Sequence, residues 1–174
     1  YQMEYFDAPD VVFAWGENKQ VVKASMVSPR VYNAMHSALQ VSELNSSQKL
    51  LCQTILILAY RTGMRINEIA GIKLKNVKGI SDISVVLTPN PYLRLKSSSA
   101  KRRVLLAALL KKDELEVVTS FIAQQQRMGV SYLFSQGVSK QPLPTYFFSN
   151  LMRVLWDGVL GQDNHNYTFH SFRH

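Results

Sequence analysis

Leu58-Ala59-Tyr60-Arg61-Thr62-Gly63-Met64-Arg65-Ile66-Asn67-Glu68-Ile69-Ala70-Gly71-Ile72-Lys73-Leu74 reads as an apolar helix that runs into Thr62-Gly63, turns and restarts. Glycine at position 63 suits a helix C-terminus, where a left-handed residue closes the last turn. Thr62 can cap the following helix by accepting a backbone N–H. Arg65 and Glu68 stand three apart, so a helix puts them on one face. Ile69, Ile72 and Leu74 anchor a neighbouring face. The stretch predicts a corner of a helical domain that presents one oriented arginine.

The chain before this corner supplies its support. Ser28-Pro29 starts a helix, with serine as cap and proline at the first helical position. Val31, Met35 and Leu39 follow at spacing four beside Ala34 and Ala38, which makes one apolar face. His36 falls off that face and reads as a surface histidine. Asn45-Ser46-Ser47 ends the segment and caps the next, and Gln48 to Tyr60 is apolar nearly all round, as a central buried helix is. Residues 1–27 read as an N-terminal arm, the end of an interdomain segment. Val11–Trp15 and Gln20–Lys23 around Gly16-Glu17-Asn18 give that arm the option of a β-hairpin.

After the corner the period changes. Ile83–Leu87, Tyr92–Lys96 and Arg102–Leu106 read as short strands. Thr88-Pro89-Asn90-Pro91 is a turn that two prolines bar from helix, and Ser97–Ala100 is a flexible tip. A helix opens at Lys111–Glu114, buries Leu115, Val118, Ile122 and Gln125, and ends at Gly129. Tyr132–Phe134 is a brief extended piece. Pro144 starts a helix through Phe147, Phe148, Leu151, Leu155 and Val159, closed by Gly158 or Gly161. The fold class is mainly α with a small antiparallel β-hairpin sheet (α+β), over residues 28–174.

With 174 residues, 47% of them hydrophobic and 18% charged, the chain is long and apolar enough for one domain with its own core. No apolar run approaches the roughly 20 residues of a membrane span, and the start lacks the basic and apolar blocks of a secretory signal. The single cysteine, Cys52, excludes an internal disulfide and reads as a small core residue. No cluster of His, Cys and carboxylates has ligand spacing, and no phosphate loop is present, so neither a metal nor ATP is expected. A cytoplasmic, nucleoid-associated setting follows from these features and the charge.

The net charge of +8 is unevenly placed. Residues 61–112 hold 12 of the 20 lysines and arginines against two acids, Glu68 and Asp82, whereas residues 1–60 and 113–174 each sum to −1. Ordinary surfaces intersperse the two signs. A concentrated positive field points to a polyanion, with double-stranded DNA the first candidate. Lys73, Lys75, Lys78, Arg94, Lys101, Arg102 and Arg103 are the expected phosphate contacts.

Near the end, His170 and Arg173 are again three apart. Three signals now stand in order: Thr62-Gly63-x-Arg65-x-x-Glu68, a basic strand–turn–strand holding Lys96, and His170-x-x-Arg173. Together they resemble the catalytic domain of the tyrosine recombinase (phage integrase) family. Ser28–Leu39 is similar to its first catalytic-domain helix and Tyr60–Glu68 to the block with its first arginine and supporting acid. Lys96–Leu106 is similar to its lysine hairpin, and Thr168–His174 to its His-x-x-Arg box.

The resemblance implies DNA strand exchange through a 3′-phosphotyrosyl link, with no cofactor and with four protomers assembled on two sites. It gives catalytic roles to Arg65, Lys96, His170 and Arg173, and an orienting role to Glu68. It also implies a nucleophilic tyrosine after the box, and the sequence stops one residue past Arg173. Tyr167 precedes the box, and Tyr60, Tyr132 and Tyr146 read as core. The expectation is therefore a recombinase fragment, with no nucleophile in this chain, an upstream DNA-binding domain before residue 1, and a monomeric state in isolation. Three other readings stay open: a non-catalytic DNA-binding module of the same fold, a topoisomerase-like nicking and closing enzyme, and a helical protein-interaction domain.

Overall fold

The computed structural model describes residues 25–93, 101–135, 141–161 and 167–173. Six α-helices occur among them: α1 (Pro29–Val41), α2 (Ser46–Thr62), α3 (Ile66–Ala70), α4 (Leu106–Leu109), α5 (Lys112–Met128) and α6 (Thr145–Leu160). A three-stranded antiparallel sheet has the order β1 (Val77–Lys78), β2 (Ser84–Leu87), β3 (Arg102–Leu105). Two 3₁₀ turns also occur among the described residues, Leu74–Asn76 and Phe169–Phe172. The mainly helical α+β expectation holds. The arm or hairpin within residues 1–24, the tip 97–100 and the larger part of the strand expected at Tyr92–Lys96 lie outside the described residues.

Helix α2 is the axis of the core. Ile55 to Ala59 are fully buried, which its all-round apolar sequence requires. The Thr54 hydroxyl, also buried, donates to the Leu50 carbonyl at 2.7 Å. Burial pushes the Cys52 thiol pKa up to about 11, as suits an inert core cysteine. Asn45 and Gln48 close a reciprocal cap at its start, and Gly63 closes its end at φ 58°. Ser28 Oγ accepts the Val31 N–H at 3.3 Å and fixes the start of α1.

Helices α1 and α5 lie against α2, and a polar knot joins the three. Arg61 meets both carboxylate oxygens of buried Glu114, with Nε at 2.8 and 3.0 Å and one terminal nitrogen at 2.8 Å. The Tyr32 hydroxyl donates to the same carboxylate at 2.8 Å. Tyr32 and Tyr60 stack at 3.9 Å, with the Arg61 guanidinium 5.3 and 5.1 Å from their ring centres. His36 is half-buried, its ring 6.1 Å from that of Tyr32, rather than fully at the surface.

Several boundaries differ from expectation. Tyr146 is 67% exposed and not core. On a helix it sits two residues, about 200°, from the buried Phe148. The buried line of α6 is Phe148, Met152, Leu155 and Trp156, and the helix passes through Gly158 to stop at Gly161. Helix α4 and strand β1 are too short to leave a periodic signal. No helix among the described residues is long and apolar enough to cross a membrane.

Candidate active site

The corner after α2 is built from backbone and carboxylate groups. Thr62 Oγ1 donates to the Leu58 carbonyl at 2.6 Å and accepts the Met64 N–H at 3.2 Å. It therefore secures the turn rather than capping α3. The cap of α3 comes from Glu68, whose Oε2 accepts the Arg65 N–H at 2.7 Å. Met64 and Ile69, both fully buried, hold the corner against the core. Arg65 stands just before the first helical residue, with its side chain 43% exposed.

Glu68 has a second arginine. Arg102 approaches it in a two-point pair, Nη1 to Oε1 at 2.9 Å and Nη2 to Oε2 at 3.0 Å. The Arg65 guanidinium lies farther away, 3.6 Å from Oε1. Burial pushes the Glu68 pKa up, but the Arg102 hydrogen bonds, the Arg65 amide and the two positive charges outweigh it. The carboxyl ends below its ordinary value and stays ionised.

The alternation of β3 explains why Arg102 turns inward. It pairs with buried Leu87 across the β2–β3 ladder and shares a face with buried Val104. Arg103 takes the other face, where its Nε donates to Ser84 Oγ at 2.8 Å and its guanidinium lies 3.4 Å from exposed Asp82.

His170 lies within a 3₁₀ turn and Arg173 directly follows it; in such a turn residues three apart eclipse one another. Phe169 and Phe172 are buried and lie 5.6 Å apart, with Trp156 stacked on Phe172 at 5.7 Å. This leaves His170 and Arg173 exposed together. The turn caps itself, Ser171 Oγ accepting the Thr168 N–H at 3.0 Å, and is held from outside by the Val27 N–H, which donates to the Ser171 carbonyl at 3.1 Å. Arg173 Nε donates to the Gly63 carbonyl at 3.1 Å. The last arginine is thereby tied to the corner that carries the first.

Lys73 and Lys75 line a cleft with Val130, Ser131 and Tyr132, the Lys73 ammonium 5.8 Å from the Tyr132 ring centre. Lys78 is exposed on β1 and Lys101 is exposed just before β3. Arg94, Lys96 and His174 lie outside the described residues. Among the described residues no group of three His, Cys, Asp or Glu side chains could hold a metal. Sequence spacing missed the Arg102–Glu68 and Arg61–Glu114 pairs, whose members lie 34 and 53 residues apart. Period-two alternation along Arg102-Arg103-Val104 was the one available sign that Arg102 faces inward.

No curated protein sequence matches the chain. Among solved structures, the fold is similar to the crystal structure of XerA recombinase, with a TM-score of 0.59 and 18% identity. The match covers 86% of this chain and 47% of that one, so the chain spans about half the length of that relative. The family model for phage integrases matches residues 26–174, a span that runs from the start of α1 through both arginine blocks. By that match, and by the fold that carries it, the chain belongs to the phage integrase family of tyrosine recombinases.

Proposed function

We propose that this chain is the phosphate-activating part of a site-specific DNA recombinase that works by transesterification. A tyrosine, which family resemblance puts after the His-x-x-Arg box, attacks a backbone phosphorus. The Tyr O–P bond forms, the P–O5′ bond breaks, and the 5′ oxygen leaves as a hydroxyl. A partner 5′ hydroxyl then reverses the step on the other strand. The phosphotyrosyl link keeps the bond energy, so no nucleotide cofactor is needed.

Arg65 and Arg173 hold the two non-bridging oxygens. Guanidinium suits this role because it is planar, always charged and offers paired N–H donors to the charge that builds in the transition state. His170 donates to the same phosphate or moves a proton. Lys96 protonates the departing 5′ oxygen. Lys73, Lys75, Lys78, Arg94, Lys101 and Arg103 meet DNA phosphates, and four protomers assemble on two sites.

The observation that supports this reading most is the Arg173–Gly63 hydrogen bond, which joins the two arginine blocks at one end of α2. The test is covalent adduct formation on nicked DNA by the full-length gene product. Arg65→Ala and Arg173→Ala should each reduce adduct by at least about 100-fold while the protein still folds. Adduct at wild-type level in either variant rejects the assignment.

A further inference from the structure

We infer that Arg102 is a positioning residue for Arg65: by occupying the Glu68 carboxylate it leaves the Arg65 guanidinium free for a phosphate. The inference deepens the reading above and rests on it for its catalytic consequence. Its structural content stands without it.

Glu68 is buried to 2% exposure. A buried carboxylate needs a partner, because stranding the charge costs far more than a lost surface contact. Two arginines are within reach. Arg102 takes both oxygens, at 2.9 and 3.0 Å, in the planar two-point geometry that makes such pairs strong. The Arg65 amide takes Oε2 at 2.7 Å. The Arg65 guanidinium, 3.6 Å from Oε1, is held near the acid without a hydrogen bond to it. Glu68 thus fixes the backbone of Arg65 while Arg102 satisfies the acid. Without Arg102, Arg65 is the nearest cation to a charged, buried oxygen, and a shift of under about 1 Å pairs them. Its donors are then spent on Glu68. Arg102 acts on Arg65 through Glu68 and does not itself need to touch DNA.

Two measurements test this. In residues 1–174, Arg102→Met should shift the Nε–Hε NMR resonance of Arg65 and slow its exchange with water, and Glu68→Gln added to Arg102→Met should reverse both changes. An Arg65 resonance that Arg102→Met leaves in place overturns the inference, whether or not the protein cleaves DNA. In the full-length gene product, Arg102→Met should slow adduct formation on pre-bound DNA by about tenfold or more, with DNA affinity changed less than about threefold. The Glu68→Gln, Arg102→Met double variant should regain most of that rate. A loss of affinity that the double variant does not restore overturns the inference and makes Arg102 a phosphate contact. Absence of adduct from the wild-type protein, or full adduct from Arg65→Ala, counts against the recombinase reading instead, and the Arg65 resonance then decides the positioning role alone.

Discussion

The carbonyl of Gly63 accepts the Nε–H of Arg173 at 3.1 Å across 110 residues of chain. That carbonyl points where it does because Gly63 is left-handed, at φ 58° and ψ 21°. A Cβ at this position meets only the Phe172 carbonyl oxygen, at 4.0 Å, so space is not the obstacle. Backbone strain is. Gly63→Ala should cost about 1–2 kcal/mol, lowering the Tm by several degrees. Adduct formation should fall by more than the loss of folded protein accounts for, because the Arg173 anchor moves. Thermal denaturation beside single-turnover cleavage checks this; an unchanged Tm places the strain elsewhere.

The knot of Arg61, Glu114 and Tyr32 should be the most sensitive polar site in the fold. Glu114→Ala strands a guanidinium that is only 21% exposed and also removes the acceptor for Tyr32. A loss of about 3 kcal/mol is expected. Tyr32→Phe keeps the stack on Tyr60 and loses one hydroxyl bond to a charged group, for about 1.5 kcal/mol. Urea denaturation of the two variants tests the order. Equal losses would mean that the hydroxyl, not the ion pair, holds α1, α2 and α5 together.

The same groups set the pH range of stability. Burial raises the pKa of Glu114, but hydrogen bonds from Arg61, the Lys111 amide and Tyr32, with the Arg61 charge, bring it below the ordinary carboxylate value. Glu68 behaves likewise. A depressed folded pKa means that the unfolded chain takes up protons first as pH falls. The stabilisation is complete above about pH 5 and is lost as pH drops through the folded values. Tyr32 has the opposite sign. Burial, then the Glu114 hydrogen bond and charge, raises its pKa above the ordinary 10.0. Its contribution is complete below that value and is lost as pH climbs towards the raised one. Urea midpoints from pH 3 to 11 should fall at both ends. Glu114→Gln should flatten the acid limb and Tyr32→Phe the alkaline limb; curves parallel to wild type would reject the linkage.

Local signals carried the helices and did not carry the ion pairs. Ser28-Pro29, Asn45-Ser46-Ser47 and Gly63 mark helix ends by chemistry within four residues, and the caps found are Ser28, Asn45 and Gly63. Gln125 is likewise buried on the 3–4 spacing of α5, and Gly129 closes that helix in the left-handed region. Tyr146 failed because apolar character alone does not give the phase of a helix. Glu114 stands in the first turn of α5, where an acid is ordinarily exposed, and its burial depends on Arg61 and Tyr32 arriving from two other helices. The contact of Gly63 with Arg173 was legible only through the order of motifs, since no local rule joins residues 110 apart.

The basic third of the chain should divide by strand face in its response to salt. Arg103 is half-exposed, its contact with Asp82 is 3.4 Å, and Asp82 is itself 73% exposed, so a phosphate can compete for the guanidinium. Lys101 is exposed beside it. Each phosphate contact releases counterions and adds about 0.9 to the slope of log K against log salt. Lys101→Gln and Arg103→Gln should each flatten that slope by about one unit on duplex DNA. Arg102, held on the inner face by Glu68, should leave it unchanged. Fluorescence anisotropy at several salt concentrations reads the three slopes. A flattened slope for Arg102 with unchanged slopes for its two neighbours would reverse the assignment of faces and put β3 against DNA by its core-facing side.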